Sequence, residues 1–247
     1  MQEMEAPMEQ RLVPGIVGMA AKTNGIYYVE MHEAAGQALG SSVSFRSVMV
    51  TPDFSVLIQA AKSGETAAAT DLLVQGAKDA GAAGADFILI GSNTGSTLAD
   101  AVAMRSGLPV LGITEPVIAA VREKGWRRIG LVSTQQTARS GMYQAVGAAS
   151  GIEFFPPSPA LADAVDTLIF QELAQGKTSA AGHRLVADVI ESFRRAGADA
   201  VVFACTDLTL LGMDPASTPL PVLDSTLLHA RAAAALAVQG WQRSGFI

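Results

Sequence analysis

The chain has 247 residues, 49% of them hydrophobic and 16% charged, with 24 glycines and a net charge of −6. That length and apolar share suit an α/β protein of one large or two small domains, and the negative balance argues against nucleic acid or an anionic membrane as a partner. A single cysteine excludes an internal disulfide and fits a reducing, cytoplasmic setting, while no run of 18 apolar residues offers a membrane-spanning helix.

The opening MQEMEAPMEQ is acidic and polar, unlike a signal peptide, and is expected to be a disordered tail over residues 1–10. RLVPGIVGM at 11–19 reads as a strand running into a polar loop, AAKTNG. Tyr27, Met31, Ala34 and Ala38 recur at helical spacing between Ile26 and Leu39, and SVSFRSVMV at 42–50 reads as the next strand. DFSVLIQAAKSGE at 53–65 suits a loop or short helix on the active-site side, and residues 66–82 are alanine-rich and helical. AGADFILIG is an unbroken apolar strand of the kind buried on both faces of a parallel sheet. Ser92, Asn93 and Thr94 then offer capping groups for a helix over about 95–106, and LPVLGI is a fourth strand.

The second half alternates likewise. Helix 115–124, strand 128–134 and helix 137–150 precede a short strand in GIEFF and a proline-rich loop. Helix 162–174, the loop GKTS and an amphipathic helix 180–196, with Leu185, Val189 and Phe193 on one face, lead to the strand ending at Cys205. TDLTLLG is a short turn or helix, LPVLD a strand, and a terminal helix runs to about residue 240.

The two halves share more than an alternation. AGADFILIGSNT ends its strand at Ser92 and AGADAVVFACT ends its strand at Cys205, 113 positions on. LPVLGIT returns as LPVLDST after 112 positions, and GIVGMAAKTNGIYY is echoed by GLVSTQQTARSGMY after 115, which sets Tyr28 against Tyr143. Three matches in one order predict two similar units with Ser92 and Cys205 as counterparts. The expected fold is therefore α/β, with two pseudo-symmetric three-layer domains around parallel four-stranded sheets. Their expected boundaries are 11–113 plus 225–247 for the first and 114–224 for the second.

Ligands bind at the carboxyl ends of strands in open α/β sheets, and Ser92 and Cys205 both stand at such ends. A helix start should lower the thiol of Cys205 below its ordinary value of roughly 8.5, and Thr206 and Asp207 add polar groups beside the sulfur. A free cysteine is more often a small buried hydrophobe, but the repeat weights Cys205 towards function. Thr114, Ser133, Thr134 and Gln135 also end strands on this side, where ordinary capping explains them equally well. His32, His183 and His229 read as structural, and the scattered histidines with one cysteine fit no metal site.

VVFACTDLTLL and IGSNTGS carry a resemblance to the two catalytic motifs of the aspartate/glutamate racemase superfamily. GIVGMAAKTNGIYY and IFQELAQGK are similar to further segments of its aspartate-racemase branch. The resemblance implies a PLP-independent, cofactor-free enzyme with its active site in a cleft between the two domains. It also implies a small carboxylic or amino acid as substrate, and a homo-oligomer. Two thiols would flank the α-carbon, one removing the proton and the other returning it. Cys205 matches the second catalytic cysteine. Asn93, Thr94 and Thr206 match positions that hold the α-carboxylate. Met19, Thr23 and Asn24 fall where the first loop contacts substrate, and Lys177 matches a lysine that binds a distal carboxylate.

The sequence also departs from the family pattern. Ser92 takes the first cysteine position, and an alcohol is a much poorer base than a thiol. Gly95 stands where a histidine often follows, and Ala61 stands near a family arginine for which Lys62 or Gln59 could substitute. Three readings stay open: an aspartate- or glutamate-like racemase, a one-cysteine isomerase or decarboxylase of a small diacid, and a binding protein that has lost the chemistry.

Overall fold

Eight strands among the described residues form two four-stranded sheets in which every pairing is parallel. The computed structural model describes residues 11–40, 44–53, 55–56, 66–214 and 217–239. The first half runs β1 (Pro14–Val17), α1 (Ala21–Leu39), β2 (Val48–Val50), α2 (Thr66–Ala82), β3 (Phe87–Ile90), α3 (Asn93–Ser96), α4 (Ala99–Ser106) and β4 (Val110–Leu111). The second runs α5 (Thr114–Glu123), β5 (Arg128–Ser133), α6 (Gln135–Ser140), α7 (Met142–Ala149), β6 (Glu153–Phe155) and α8 (Pro159–Gln171). It continues with a 3-10 turn Leu173–Gln175, α9 (Ala180–Arg195), β7 (Ala200–Ala204), a 3-10 turn Thr206–Leu211, β8 (Val222–Asp224) and α10 (Ser225–Gln239).

The sheet orders are β2-β1-β3-β4 and β6-β5-β7-β8, so the fold is α/β with the same winding used twice. In each sheet the chain first crosses from the second strand position outward, then reverses past it, leaving a switch point between β1 and β3 or between β5 and β7. Backbone alternation makes three layers. Phe87 and Leu89 of β3 point into a core with Tyr27 and Met31 of α1 and the alanines of α10, while Ile88 and Ile90 pack with Leu73, Val74 and Ala77 of α2. In β7, Val201, Phe203 and then Cys205 share the core of α8 and α9, whereas Ala200, Val202 and Ala204 face Val117, Val121 and Tyr143 of α5 and α7.

One glycine pair shows how closely the repeat is kept. A Cβ on Gly130 would lie 2.5 Å from the Phe193 ring, and a Cβ on Gly15 would lie 2.8 Å from Ala85 Cβ and 3.0 Å from Ala80 Cβ. Phe193 and Ala80 are repeat counterparts, so a helix leans on a bare strand in both halves, with a larger residue in the second.

The chain separates into two compact units. One extends through Ile113 and resumes at His229, and the other is Thr114–Leu228. The strand β4 of one unit thus leads into α5 of the other, and α10 begins in the second unit and continues in the first. In the first, Leu12 N–H donates to the Ala237 carbonyl at 3.0 Å. Tyr27 hydroxyl and His229 Nδ1 are 2.9 Å apart, and His229 Nε2 is 2.9 Å from the Leu111 carbonyl. Burial lowers the His229 pKa to about 4, so the ring is neutral, donating to Leu111 and accepting from Tyr27. No helix among the described residues is long and apolar enough to cross a membrane.

Several expectations need correction. Helix α1 begins at Ala21, not Ile26, so Thr23 and Asn24 occupy its first turn and no loop. The start went unseen because Ala20 makes no capping bond; Asn24 Oδ1 instead accepts from Met19 N–H at 3.0 Å, inside the helix's own first turn. The strand expected over 42–50 is confined to Val48–Val50, with no strand over 44–47. The helices expected over 95–106 and 137–150 are each divided, the second at Gly141 with φ +70°. Tyr143 is buried as Tyr27 is, whereas Tyr28, the residue set against Tyr143 by the sequence offset, is exposed. Residues 1–10 and Gln59, Ala61 and Lys62 lie outside the described residues.

Candidate active site

Both strands expected to end in functional residues lie at a switch point, flanked by the first strand of their sheet. In the first unit Val17 pairs with Ile90, and Gly91 N–H closes the edge on the Val17 carbonyl at 2.9 Å. Met19, buried, follows β1, and Ser92 and Asn93 follow β3. A Cβ on Gly95 would lie 3.0 Å from Met19 Cε, so Met19 packs on the Ser92 turn. Asn24 is buried and doubly engaged, accepting from Met19 N–H and donating Nδ2–H to Thr51 Oγ1 at 3.0 Å. Thr23 hydroxyl donates to the Ala20 carbonyl at 3.0 Å. These two residues hold the β1–α1 corner. Ser92 Oγ accepts from Gly95 N–H at 3.0 Å, which makes it the N-cap of α3. Asn93 is buried and Thr94 half-buried beside it.

In the second unit Ser133 pairs with Ala204, so Thr134 and Cys205 leave neighbouring strand ends. Thr134 caps α6, accepting from Thr137 N–H at 3.2 Å. Cys205 takes the N-cap position of the turn Thr206–Leu211, but its Sγ closes no capping hydrogen bond. The residue is 8% exposed. Burial and then the carboxylate of Asp207 push its thiol up to about 12; the backbone N–H groups of Asp207 and Leu208 favour the thiolate without prevailing, and Asp224 adds to the rise. The expected lowering by the helix start is therefore reversed: desolvation of a buried sulfur outweighs two backbone dipoles. Asp207 is itself raised to about 6 by burial, and Thr206 is buried next to it.

Asp224, at the end of β8, went unnoticed in the sequence. It pairs in register with Phe203, and its Oδ1 accepts from Thr226 N–H at 2.8 Å and Leu227 N–H at 3.3 Å, capping α10. Burial raises its carboxyl, and its charge bears on both Cys205 and Tyr143, whose phenol is hydrogen-bonded to Ser225. A signal was available: in LPVLDST, Asp224 stands where LPVLGIT has Gly112. Lys177 is exposed, its ammonium donating to Gln175 Oε1 at 3.0 Å. The turn Leu173–Gln175 just before it packs on the Thr206–Leu211 turn. Chemically, the second unit thus presents a protonated sulfur near two half-buried acids, and the first a hydroxyl held in a cap.

The model of the Asp/Glu/Hydantoin racemase family matches residues 16–233. The chain belongs to this family. Among curated relatives, glutamate racemase of Aquifex aeolicus is 28% identical over 130 residues, 52% of this chain and 48% of that protein. The chain spans about half the length of the curated relatives it matches. Among solved structures, a candidate Asp/Glu racemase from Yersinia pestis is 29% identical, with a TM-score of 0.82 over 92% of this chain and 99% of that one. Arylmalonate decarboxylase, 16% identical with a TM-score of 0.50, covers 93% of this chain and 94% of its own, a likeness of fold alone. Racemase-family membership thus stands on nearly the whole chain, and the motifs around Ser92 and Cys205 lie inside the matched region.

Proposed function

We propose that this protein is a cofactor-independent racemase of an aspartate- or glutamate-like amino acid, with Cys205 as its acid/base. The observation that carries the reading is the place of Cys205: the end of β7, beside the switch point, with Thr206 and Asp207 following, in a chain of the racemase family. In the forward step the Cys205 thiol first gives its proton to solvent; the substrate Cα–H bond then breaks, that proton passes to the Sγ thiolate, and the electron pair moves into the α-carboxylate as an enediolate. A proton then returns to Cα from a second donor, for which Ser92 is the proposed group, resupplied by water. Asn93, Thr94 and Thr206 are read as holding the α-carboxylate, Met19 as shaping its surroundings and Lys177 as meeting a distal carboxylate. Thr23, Asn24 and Thr134 act through the turns that they fix. The proposal takes the protein as a cytoplasmic homo-oligomer.

A specific observation also favours a second reading. A thiol held protonated is ready to donate but slow to abstract, and the Ser92 hydroxyl is engaged in a cap. A decarboxylation would break a Cα–carboxylate bond, release carbon dioxide and need only the single proton that Cys205 carries. Incubation of the protein with a panel of amino and dicarboxylic acids in D₂O, followed by proton NMR, separates the readings. Deuterium entering Cα with carbon retained is the racemase result. Carbon dioxide release marks the decarboxylase, and silence across the panel would leave only binding.

A further inference from the structure

His183 lies in the first turns of α9, and both of its ring nitrogens meet carbonyl oxygens. Nδ1 is 2.8 Å from the Ser179 carbonyl and Nε2 is 2.8 Å from the Leu211 carbonyl. A carbonyl only accepts, so each nitrogen must donate, and a neutral imidazole has one N–H and one lone pair. Only the imidazolium fits both contacts; in the neutral ring a lone pair would face a carbonyl lone pair at 2.8 Å. Leu211 is the last residue of the turn Thr206–Leu211, whose N-cap is Cys205, and its carbonyl lies at the end of a short 3-10 segment where such groups lack partners. Cys205, Leu208 and Leu211 share one buried core, so the carbonyl of Leu211 cannot shift without moving the segment that carries the sulfur.

We infer that His183 is a positioning residue, an imidazolium latch that clamps the far end of the Cys205 turn to α9 and makes the placement of the sulfur dependent on pH. Its bearing on turnover rests on the reading of Cys205 as the acid/base group. The two carbonyls raise the pKa of the ring and partial burial lowers it. Among the described residues no carboxylate or cation of α8, α9, the Leu173–Gln175 turn or the Thr206–Leu211 turn contributes to that shift; Asp207, in the last of these, titrates separately near 6. The sign follows from a raised base. The latch is fully closed below the unfolded value of about 6.5 and opens as pH rises through the higher folded value.

The chain has three histidines, so nitrogen–proton NMR of the whole protein reads each ring. His183 is expected to titrate above about 6.5 with both nitrogens protonated below its midpoint; a midpoint at or below that value overturns the latch. For turnover, kcat/KM of the wild type should fall at alkaline pH with the midpoint seen by NMR. His183→Gln, whose N–H donors share one nitrogen and do not titrate, should lose that limb and lie about three- to tenfold lower at pH 6. An unchanged limb in His183→Gln would refute the inference. Amide exchange at Leu208 and Gly212, corrected for base catalysis, gives a readout independent of substrate. It should quicken about three- to tenfold across the same midpoint in the wild type and show no step in His183→Gln. A missing step in the wild type sinks the latch, whereas silence towards all substrates with the step present sinks only the racemase reading.

Discussion

The Ser92 turn and the Cys205 turn occupy the same place in sheets of the same winding, yet they are built for different states of one atom. Ser92 Oγ is tied down as an acceptor, with Gly95 N–H at 3.0 Å, and opens a four-residue helix. Cys205 Sγ closes no cap, opens a 3-10 turn and is kept protonated by burial and by Asp207 and Asp224. The first unit has Gly112 where the second has Asp224, and Gly95 closes on Ser92 where Leu208 follows the cysteine. A repeat therefore conserves where a side chain stands, while its neighbours decide which proton it holds.

The strongest way to break this comparison is to make the two turns alike in losing the thiol. Cys205→Ser should lower exchange of the substrate α-proton about 10²- to 10⁴-fold with an unchanged circular dichroism spectrum. Activity retained in that variant would remove the sulfur from the chemistry. The reverse exchange sharpens it. Ser92→Cys should speed exchange from the slower enantiomer by roughly tenfold, because a thiol is the better base. Equal, rapid exchange from both enantiomers in the wild type would show instead that serine is no handicap.

A smaller effect tests the acids. Asp207→Asn removes a carboxylate that raises the Cys205 thiol, so iodoacetamide at pH 8 should alkylate the variant several-fold faster. The wild type carries that charge only above about 6. An equal rate in both proteins would mean that burial alone holds the proton. The smallest effect belongs to the cap. Ser92→Ala should cost about 1 kcal/mol, read as a lowered midpoint in urea, and Ser92→Gly should recover most of it. A Ser92→Ala variant as stable as the wild type would show the Gly95 contact to be idle.

Much of this was legible in the sequence because burial on both faces leaves its mark in composition. FILI and AVVFA are unbroken apolar runs, and the repeated AGAD before them fixed both ends of the comparison. Helix α2 also lies where its alanine-rich pattern predicts. Interactions that cross the chain were not legible. The helix-start argument for a lowered thiol used the backbone alone, whereas the deciding burial comes from the core shared with α8 and α9 and the Asp224 charge from strand pairing between β7 and β8. Asn24 reads as a loop residue until its carboxamide is found bonded to Met19 and Thr51. His183 gives no sign of its second partner, a backbone carbonyl 28 positions away.

The passage of α10 from one unit to the other has a consequence for the order of folding during synthesis. The unit Thr114–Leu228 is one continuous stretch and can condense as soon as it has emerged. The unit that begins the chain must wait, because its core needs Ala230, Ala233 and Leu236, and its hydrogen bond from Tyr27 to His229 spans 202 positions. Closing so long a loop is slow. The half translated first is thus the half completed last, and a released chain truncated before residue 229 would hold a finished second unit and an open first one.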